Sequence, residues 1–312
     1  MSILSTGRLL FVAAAMSFTA GATAQAADPL VSVDWVTANT GKPGIVMVDL
    51  RGREDFLRGH VPGAVHSNYG KDGWREARDG VPDLFPADTA KLAAHIGALG
   101  IDNATHVVLM PPGANSSDMG MGTRIYWTFK VLGHDEVSIL NGGMTAYLAP
   151  ADKDGNPTNP LERGAGTAEA KTFKVNLRPE MVAGADDVKA MAARGAVLVD
   201  NRTADQYLGV NRHGKAKASG TIAGAVNLPQ SWMTENGGGK FRSRDQLAKL
   251  FDAAGVPTEG EQVSFCNTGH WASIGWFAAS EIMGNKDVKL YDGSMTEWTI
   301  KGNEAAAKIN LN

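Results

Sequence analysis

The fold is decided by residues 262–277, which read QVSFCNTGHWASIGWF. Residues 263–265 form a short, largely apolar run, which is typical of a buried strand. Cys266 ends this run, a polar loop follows, and a helical stretch begins near Ser273. Strands that alternate with helices build a parallel sheet covered on both faces. The stretch therefore predicts that Cys266 lies at the carboxyl end of a strand and faces the amino end of a helix.

Four blocks of the first half of the chain recur in the same order in the second half. The matching pairs are 46–51 with 197–202, 59–65 with 220–226, 106–110 with 262–266, and 140–147 with 291–298. The last pair reads LNGGMTAY against YDGSMTEW, which is too specific for chance similarity. The chain is therefore predicted to contain an internal duplication. In this alignment Met110 takes the position of Cys266 in the first copy.

Each copy alternates short apolar runs with helical stretches. Residues 288–291 are predicted to form a further strand. Residues 243–254 carry apolar side chains at helical spacing, Ser243 and Gln246 form a capping box, and Gly255 stands where a helix should end. The predicted fold is therefore α/β, with two tandem domains that each contain a small parallel sheet with helices on both faces. Ligands of such sheets bind at the carboxyl ends of the strands.

Residues 1–26 have the features of a secretory signal peptide. Arg8 precedes the apolar run 9–16, and the small-residue sequence AQA at 24–26 provides a cleavage site. The apolar run is shorter than the ~20 residues that span a bilayer. We therefore predict a secreted protein, located in a bacterial periplasm, with no membrane partner.

Residues 150–171 are rich in Pro, Gly, Asn, Thr and charged residues, and they show no helical or strand period. This composition predicts a linker. The predicted segments are a signal peptide at 1–26, a first domain at 27–149, a linker at 150–172, and a second domain at 173–312. The acidic turn at 152–156 matches a calcium loop poorly, because its glycine comes too early and position twelve is Arg163.

The charge balance of the chain argues against one class of partner. The chain has 30 Lys and Arg against 33 Asp and Glu, a formal net charge of −3, and the charges are mixed along the sequence. This balance argues against binding to nucleic acid.

Cys266 is the one cysteine in 312 residues, so no internal disulfide can form. An unpaired thiol in an oxidising compartment is either buried and inert or retained for its reactivity.

The residues after Cys266 favour a reactive thiol. Gly269 lets the loop curl without a side-chain clash, so that backbone N–H groups converge on the sulfur. Together with the helix dipole these donors favour a thiolate, and the same cradle suits the terminal sulfur of a persulfide. A cysteine that only fills a strand end is the alternative, but packing alone needs no tight polar loop. The predicted site is Cys266 with the cradling loop Asn267, Thr268, Gly269, His270, Trp271 and Ala272.

The sequence resembles the tandem-domain rhodanese family of thiosulfate and 3-mercaptopyruvate sulfurtransferases. The motifs that carry the resemblance are the Asp-x-Arg after the first strand of each half, Gly-x-Ile-x-Gly-Ala-Val at 220–226, Cys-x-x-Gly at 266–269, and YDGSMTEW at 291–298. The resemblance covers nearly the whole mature chain. It implies an inactive first domain and a catalytic second domain that forms a persulfide, and it implies no cofactor and no metal.

The residues of the first copy agree with this division. Met110 cannot form a persulfide, and Pro111 and Pro112 have no N–H to donate. The first domain is therefore predicted to be a structural partner that closes one side of the active-site cleft. Met119 and Met121 fit packing better than a copper site.

Four residues outside the loop are candidates for substrate binding or support: Asp200, Arg202, Gln206 and Arg212. Asp200 and Arg202 are interpreted mainly as structural, because they order the sheet edge near the loop. Relatives that act on thiosulfate usually carry basic residues in the loop, which has none here, and often have an arginine at the position of Gln206. Arg212 begins the basic insertion 212–217, which either supplies this charge or forms a solvated turn.

The predicted function is transfer of a sulfane sulfur from a small donor to a thiol or cyanide through a persulfide on Cys266. His270 either contacts substrate, tunes the thiolate or is an exposed loop residue, and Trp271 is expected to wall the pocket. A phosphatase or arsenate reductase needs a Cys-x5-Arg loop, and that arginine position is Ala272 here. The remaining alternative is a non-enzymatic persulfide carrier that serves a partner sulfur-acceptor protein, which the lack of loop cations favours.

Overall fold

The computed structural model describes residues 27–309 and 311. The predicted signal peptide at 1–26 lies outside the described residues. In the described part of the chain, no helix is both long and apolar enough to span a membrane.

Strands and helices alternate along both halves. The strands of the first half are β1 (Leu30–Val31), β2 (Ile45–Asp49), β3 (Val65–His66), β4 (Glu76–Arg78), β5 (Val81–Leu84), β6 (His106–Met110) and β7 (Val137–Leu140). Its helices are α1 (Val33–Asn39), α2 (Arg53–Arg58), α3 (Thr89–Ala98), α4 (Ser116–Val131) and α5 (Gly143–Leu148).

The second half repeats this alternation. Its strands are β8 (Val182–Ala183), β9 (Val197–Asp200), β10 (Val226–Asn227), β11 (Gln262–Phe265) and β12 (Val288–Tyr291). Its α-helices are α6 (Ala185–Ala193), α7 (Ala204–Leu208), α8 (Arg244–Ala253), α9 (His270–Phe277) and α10 (Ser294–Ile300). Short 3₁₀ helices span Pro179–Met181, Gln230–Met233 and Glu235–Gly237, and a π-helix, Ala278–Ile282, continues α9.

Each half forms one five-stranded parallel sheet. The strand order is β1-β7-β6-β2-β3 in the first half and, in the same sense, β8-β12-β11-β9-β10 in the second. Strands β4 and β5 form a separate antiparallel pair. Because the two sheets have the same topology, the predicted duplication and the α/β fold are confirmed.

Backbone hydrogen bonds correct the alignment of the two copies at the cysteine. The N–H of Met295 donates to the carbonyl of Cys266 at 3.0 Å, and the N–H of Met144, its equivalent, donates to the carbonyl of Pro111 at 2.8 Å. The prediction that Met110 takes the position of Cys266 is therefore wrong by one residue. Two short apolar runs look alike in sequence even when one is shifted by one residue against the other. The backbone hydrogen bonds of the two strands match in only one alignment. The first copy has a proline at the position of the sulfur.

Helices α4 and α9 pack against each other and join the two halves. Each follows the central strand of its own sheet, and most of its residues are buried. The rings of Tyr126 and Phe277 meet edge to face with centroids 5.0 Å apart, and Oγ1 of Thr123 lies 2.7 Å from Oγ of Ser273. One apolar cluster draws side chains from both halves. Burial of this shared surface stabilises the contact between the halves.

The predicted helix ends are confirmed in one case and shifted in the other. Ser243 caps α8 in the predicted capping box with Gln246, and Gly255 follows the helix with φ +68°. Helix α9 begins at His270, three residues before the predicted start at Ser273. It begins early because Gly269, with φ +75°, turns the chain directly into the helix.

The segment predicted as a linker lies against the first half. Between α5 and the 3₁₀ helix Pro179–Met181 the described chain contains no named helix or strand. The N–H of Glu162 donates to the carbonyl of His60 at 2.9 Å, and the N–H of Lys171 donates to the carbonyl of Gly97 at 2.9 Å. The exact domain boundaries stay a prediction.

Candidate active site

Cys266 lies directly after β11, the central strand of the second sheet, and is 1% exposed. It is a free thiol that lines a cleft of about 440 Å³. The cleft is lined by Tyr69, Arg75, Ser117 and Met121 of the first half, and by Gln206, His213, Cys266, Asn267, Thr268, His270 and Trp271 of the second. The thiol therefore shares its cleft with residues of both halves.

The loop after Cys266 contains several backbone N–H groups that have no acceptor within the described ranges 27–309 and 311. Gly269 has a left-handed backbone and is the N-cap of α9. Among the described residues, no acceptor is paired with the N–H groups of Asn267, Thr268, His270, Trp271 and Ala272. Unpaired donors at the start of a helix carry partial positive charge. The loop is therefore suited to hold a thiolate or the terminal sulfur of a persulfide.

The hydroxyl of Ser294 holds the loop in this conformation. Its Oγ accepts the N–H of Cys266 at 3.0 Å and that of Gly269 at 3.3 Å, and its O–H donates to the carbonyl of Tyr291 at 2.8 Å. The φ of Ser294 is +50°, a conformation that costs a non-glycine residue ~1–2 kcal/mol. The first copy has Gly143 at this position, with φ +59°. The second copy thus keeps a strained serine and gains an acceptor for two loop N–H groups.

His270 is a hydrogen-bonded contact between the halves. Its Nε2 lies 2.9 Å from the carbonyl oxygen of Ser117, which can only accept, so Nε2 carries the proton and Nδ1 accepts the O–H of Tyr69 at 2.8 Å. Burial lowers the pKa of His270 to about 4, so the ring is uncharged at neutral pH. Nε1–H of Trp271 donates to Oγ of Ser117 at 2.9 Å. His270 is therefore half-buried and bound at both nitrogens, not an exposed loop residue.

A buried ion pair lies against the loop. Arg124 of α4 contacts the carboxylate of Asp292, and their side chains are 0% and 6% exposed. Nη2–H of Arg124 also donates to the carbonyl of Asp83 at 3.1 Å, and the N–H of Phe85 donates to Asp292. A Cβ on Gly269 would lie 2.2 Å from Nη1 of Arg124 and 2.7 Å from the carbonyl oxygen of Asp292. Position 269 can pack this closely only because it has no side chain.

Asp200 and Arg202 form a buried pair that is separate from the cleft wall. Nε and Nη2 of Arg202 donate to the carboxylate of Asp200 at 2.9 and 2.6 Å, and Oγ1 of Thr221 donates to it at 2.7 Å. Both charged side chains are at most 1% exposed, and neither lines the cleft. Asp49 and Arg51 make the same pair in the first half. The pair therefore orders the strand end in both copies.

Of the two remaining candidates from the second half, Gln206 lines the cleft and Arg212 does not. Gln206 lines the cleft, and its Oε1 accepts Nδ2–H of Asn267 at 2.8 Å. Arg212 lies outside the cleft wall and donates to the carbonyl of Ala216 at 2.5 Å. His213, the next residue, does line the cleft, and burial lowers its pKa. The basic insertion therefore brings an imidazole to the site instead of an arginine.

Sequence reasoning missed four residues of the site: Tyr69, Arg75, Ser117 and Ser294. The first three belong to segments far from Cys266 along the chain, and no local spacing links them to it. A signal for Ser294 was present, because the matching blocks differ there, with Gly-Gly in the first copy and Gly-Ser in the second.

Within the described residues, no group of three or more His, Cys, Asp or Glu side chains is placed to hold a metal ion. In the acidic turn of the linker, Oδ1 of Asp152 accepts the N–H groups of Asp154 and Asn156, each at 2.9 Å. This carboxylate is therefore used to close its own turn.

The chain is similar in sequence and in structure to known proteins. The Rhodanese-like domain family model matches residues 32–150 and 184–301. The thiosulfate sulfurtransferase of Bos taurus is 32% identical over 287 residues, covering 86% of this chain and 91% of that protein. SseA from Escherichia coli, described as a 3-mercaptopyruvate sulfotransferase, is 25% identical with a TM-score of 0.71 and covers 86% of this chain and 99% of its own. YnjE shares the fold at 22% identity and a TM-score of 0.74, over 90% of this chain and 69% of its own.

Proposed function

This chain belongs to the rhodanese-like domain family and is a sulfurtransferase, and we propose that Cys266 carries the transferred sulfur as a persulfide. The observation that carries this proposal is the position of the thiol. It lies at the end of the central strand, in a cleft, and is followed by a loop in which five N–H groups have no acceptor among the described residues. Such preorganised donors stabilise negative charge that develops on the reacting atom.

The reaction has two steps. The Cys266 thiolate first attacks the outer sulfur of a donor of the thiosulfate or 3-mercaptopyruvate type and releases the remainder of the donor. A thiol or cyanide then takes the outer sulfur and restores the thiolate. Covalent transfer of this kind gives ping-pong kinetics. His270 is uncharged at neutral pH and has both nitrogens in hydrogen bonds, so its part is to hold the loop.

Intact mass spectrometry of the mature protein tests the proposal. We expect a gain of one sulfur atom after treatment with thiosulfate or with 3-mercaptopyruvate, its loss on addition of cyanide, and no gain in Cys266→Ser. Because Cys266 is the one cysteine in the sequence, the gain is assigned without further mapping. A protein that is alkylated at Cys266 but gains no sulfur from either donor would contradict the proposal and favour a carrier loaded by a partner protein.

A relocated thiol provides the matched control. The double variant Cys266→Ser, Pro111→Cys moves the thiol to the equivalent strand end of the first half. Pro112 has no N–H there, and Gly143 replaces the serine hydroxyl. We therefore expect no persulfide at this position. Formation of one would show that a strand end is sufficient and that the loop donors are not needed.

We further propose that residues 1–26 direct secretion and that the mature enzyme works in a bacterial periplasm. The order of Arg8, the apolar run 9–16 and the AQA sequence supports this proposal. Expression of the full chain in a Gram-negative bacterium is expected to yield periplasmic protein that begins at Ala27. Cytoplasmic protein that retains the first 26 residues would contradict it.

A further inference from the structure

We propose that Arg75, which belongs to the half without the thiol, binds the anionic end of the sulfur donor that reacts at Cys266. The inference rests on the proposed sulfurtransferase function and adds the residue that selects for negative charge. It assigns a substrate-binding role to the first half, whose own strand end has no thiol.

The charges of the cleft single out Arg75. The loop 266–272 contains no Lys or Arg. His270 and His213 also line the cleft, but burial lowers the pKa of His270 to about 4 and lowers that of His213 below its ordinary value, which disfavours the charged form of both rings. Arg124 lies close by, but it is fully buried in its ion pair and does not line the cleft. Among the described residues that line the cleft, Arg75 is therefore the one permanent cation.

The guanidinium of Arg75 is held in place and still has donors to offer. Its Cζ lies 4.1 Å from the ring centroid of Tyr69, and Nη1 is 3.1 Å from Oδ1 of Asp83. Its Nε is buried and has no hydrogen-bond partner in the part of the chain that the structure describes. A guanidinium has five N–H donors, so one carboxylate contact leaves capacity for a planar anion. The O–H of Tyr69 donates to His270, which connects this cation to the loop that carries the sulfur.

Asp83 makes the proposal testable in both directions. Its carboxylate is 36% exposed and competes with a donor anion for Arg75. Removal of this negative charge is therefore expected to strengthen binding of an anion, whereas removal of the Arg75 charge weakens it. The φ of Asp83 is +63°, a conformation that asparagine also adopts readily. Asp83→Asn thus changes the charge with little change in backbone conformation.

Alkylation of Cys266 by two probes of different charge measures anion binding apart from sulfur chemistry. Iodoacetate and iodoacetamide both form an S–C bond with the thiolate and release iodide, but only iodoacetate is an anion. We expect the ratio of the iodoacetate rate to the iodoacetamide rate to fall about 10- to 100-fold in Arg75→Met, the range of one charged hydrogen bond. The ratio should rise in Asp83→Asn. It should not change in Arg78→Met, which removes an exposed arginine that lies outside the cleft wall.

Persulfide formation from thiosulfate is measured on the same variants. An unchanged probe ratio in Arg75→Met and Asp83→Asn would overturn the inference. A measurable rate of persulfide formation that is the same with and without Arg75 would also overturn it. If Arg75→Met does not fold, Asp83→Asn carries the test alone, because it removes the competing carboxylate and should still raise the ratio; an unchanged ratio in that variant would then overturn the inference. A ratio that changes as expected in a protein that never forms a persulfide would support the anion site and refute the proposed function alone.

Discussion

Gly269→Ala tests whether the loop depends on the ion pair that packs against it. Gly269 has φ +75°, and an added Cβ would lie 2.2 Å from Nη1 of Arg124 and 2.7 Å from the carbonyl oxygen of Asp292. Both distances are shorter than any normal contact, and the neighbours are buried. Either the loop must move or Arg124 must leave Asp292.

The expected loss has two parts. The left-handed conformation costs an L-residue ~1–2 kcal/mol. Separation of a buried ion pair costs ~3–5 kcal/mol, because it leaves charges without a partner. We therefore expect Gly269→Ala to lower the free energy of unfolding by about 4–7 kcal/mol. Gly255→Ala is the matched control, because Gly255 has φ +68° and no atom of the described residues lies within 4 Å of an added Cβ, so only the first part applies.

Urea unfolding of the mature protein, followed by circular dichroism, gives both free energies. The rate of persulfide formation from thiosulfate is measured beside them, and we expect it to fall in Gly269→Ala and to stay unchanged in Gly255→Ala. Equal losses of stability in the two variants would refute the reasoning, because they would show that nothing at Gly269 depends on the close approach of Arg124 and Asp292.

Two further variants probe the contacts of the loop. The pKa of His270 is lowered from 6.5 to about 4 in the folded state, so its contribution to stability is complete above pH 6.5 and is lost as the pH falls towards 4. His270→Gln should therefore reduce the difference between urea midpoints measured at pH 7 and pH 5, and an unchanged difference would show that His270 takes up no proton on unfolding. Ser294→Gly relieves ~1–2 kcal/mol of strain but leaves two buried N–H groups without an acceptor at ~1–3 kcal/mol each, so we expect a net loss of stability of up to about 5 kcal/mol. Persulfide formation, followed by mass, should slow about tenfold in Ser294→Gly, the effect of one hydrogen bond, and an unchanged rate would remove its hydroxyl from the mechanism.

Most of the fold could be predicted because its signals are local. The apolar run before Cys266 and the capping box at Ser243 depend on neighbouring residues, and the repeated blocks indicate the duplication directly. The alignment at Cys266 was wrong by one residue, because sequence pattern does not determine the register of a short apolar strand. Only the hydrogen bonds of Met144 and Met295 show that Pro111, not Met110, takes the place of the cysteine.

The sequence predicted only those residues of the site that belong to the second half. Cys266 and its loop are contiguous, so their chemistry can be inferred from residue order and from the glycine at 269. Tyr69 and Arg75 reach the cleft because α4 packs against α9. No fixed spacing of residues in the sequence indicates such a contact between distant segments.

The sequence by itself determined the duplication, the α/β class, the single thiol at a strand end and the loss of that thiol from the first copy. These properties follow from hydrophobic period, from turn residues and from the chemistry of individual side chains. The tertiary structure decided which charges and hydrogen bonds surround the thiol. It placed His270, for which the sequence left substrate contact, tuning of the thiolate and an exposed position open, as an uncharged link between the halves, because burial disfavours its charged form. It also brought Arg75 to the cleft, because the shared apolar core holds one half against the other.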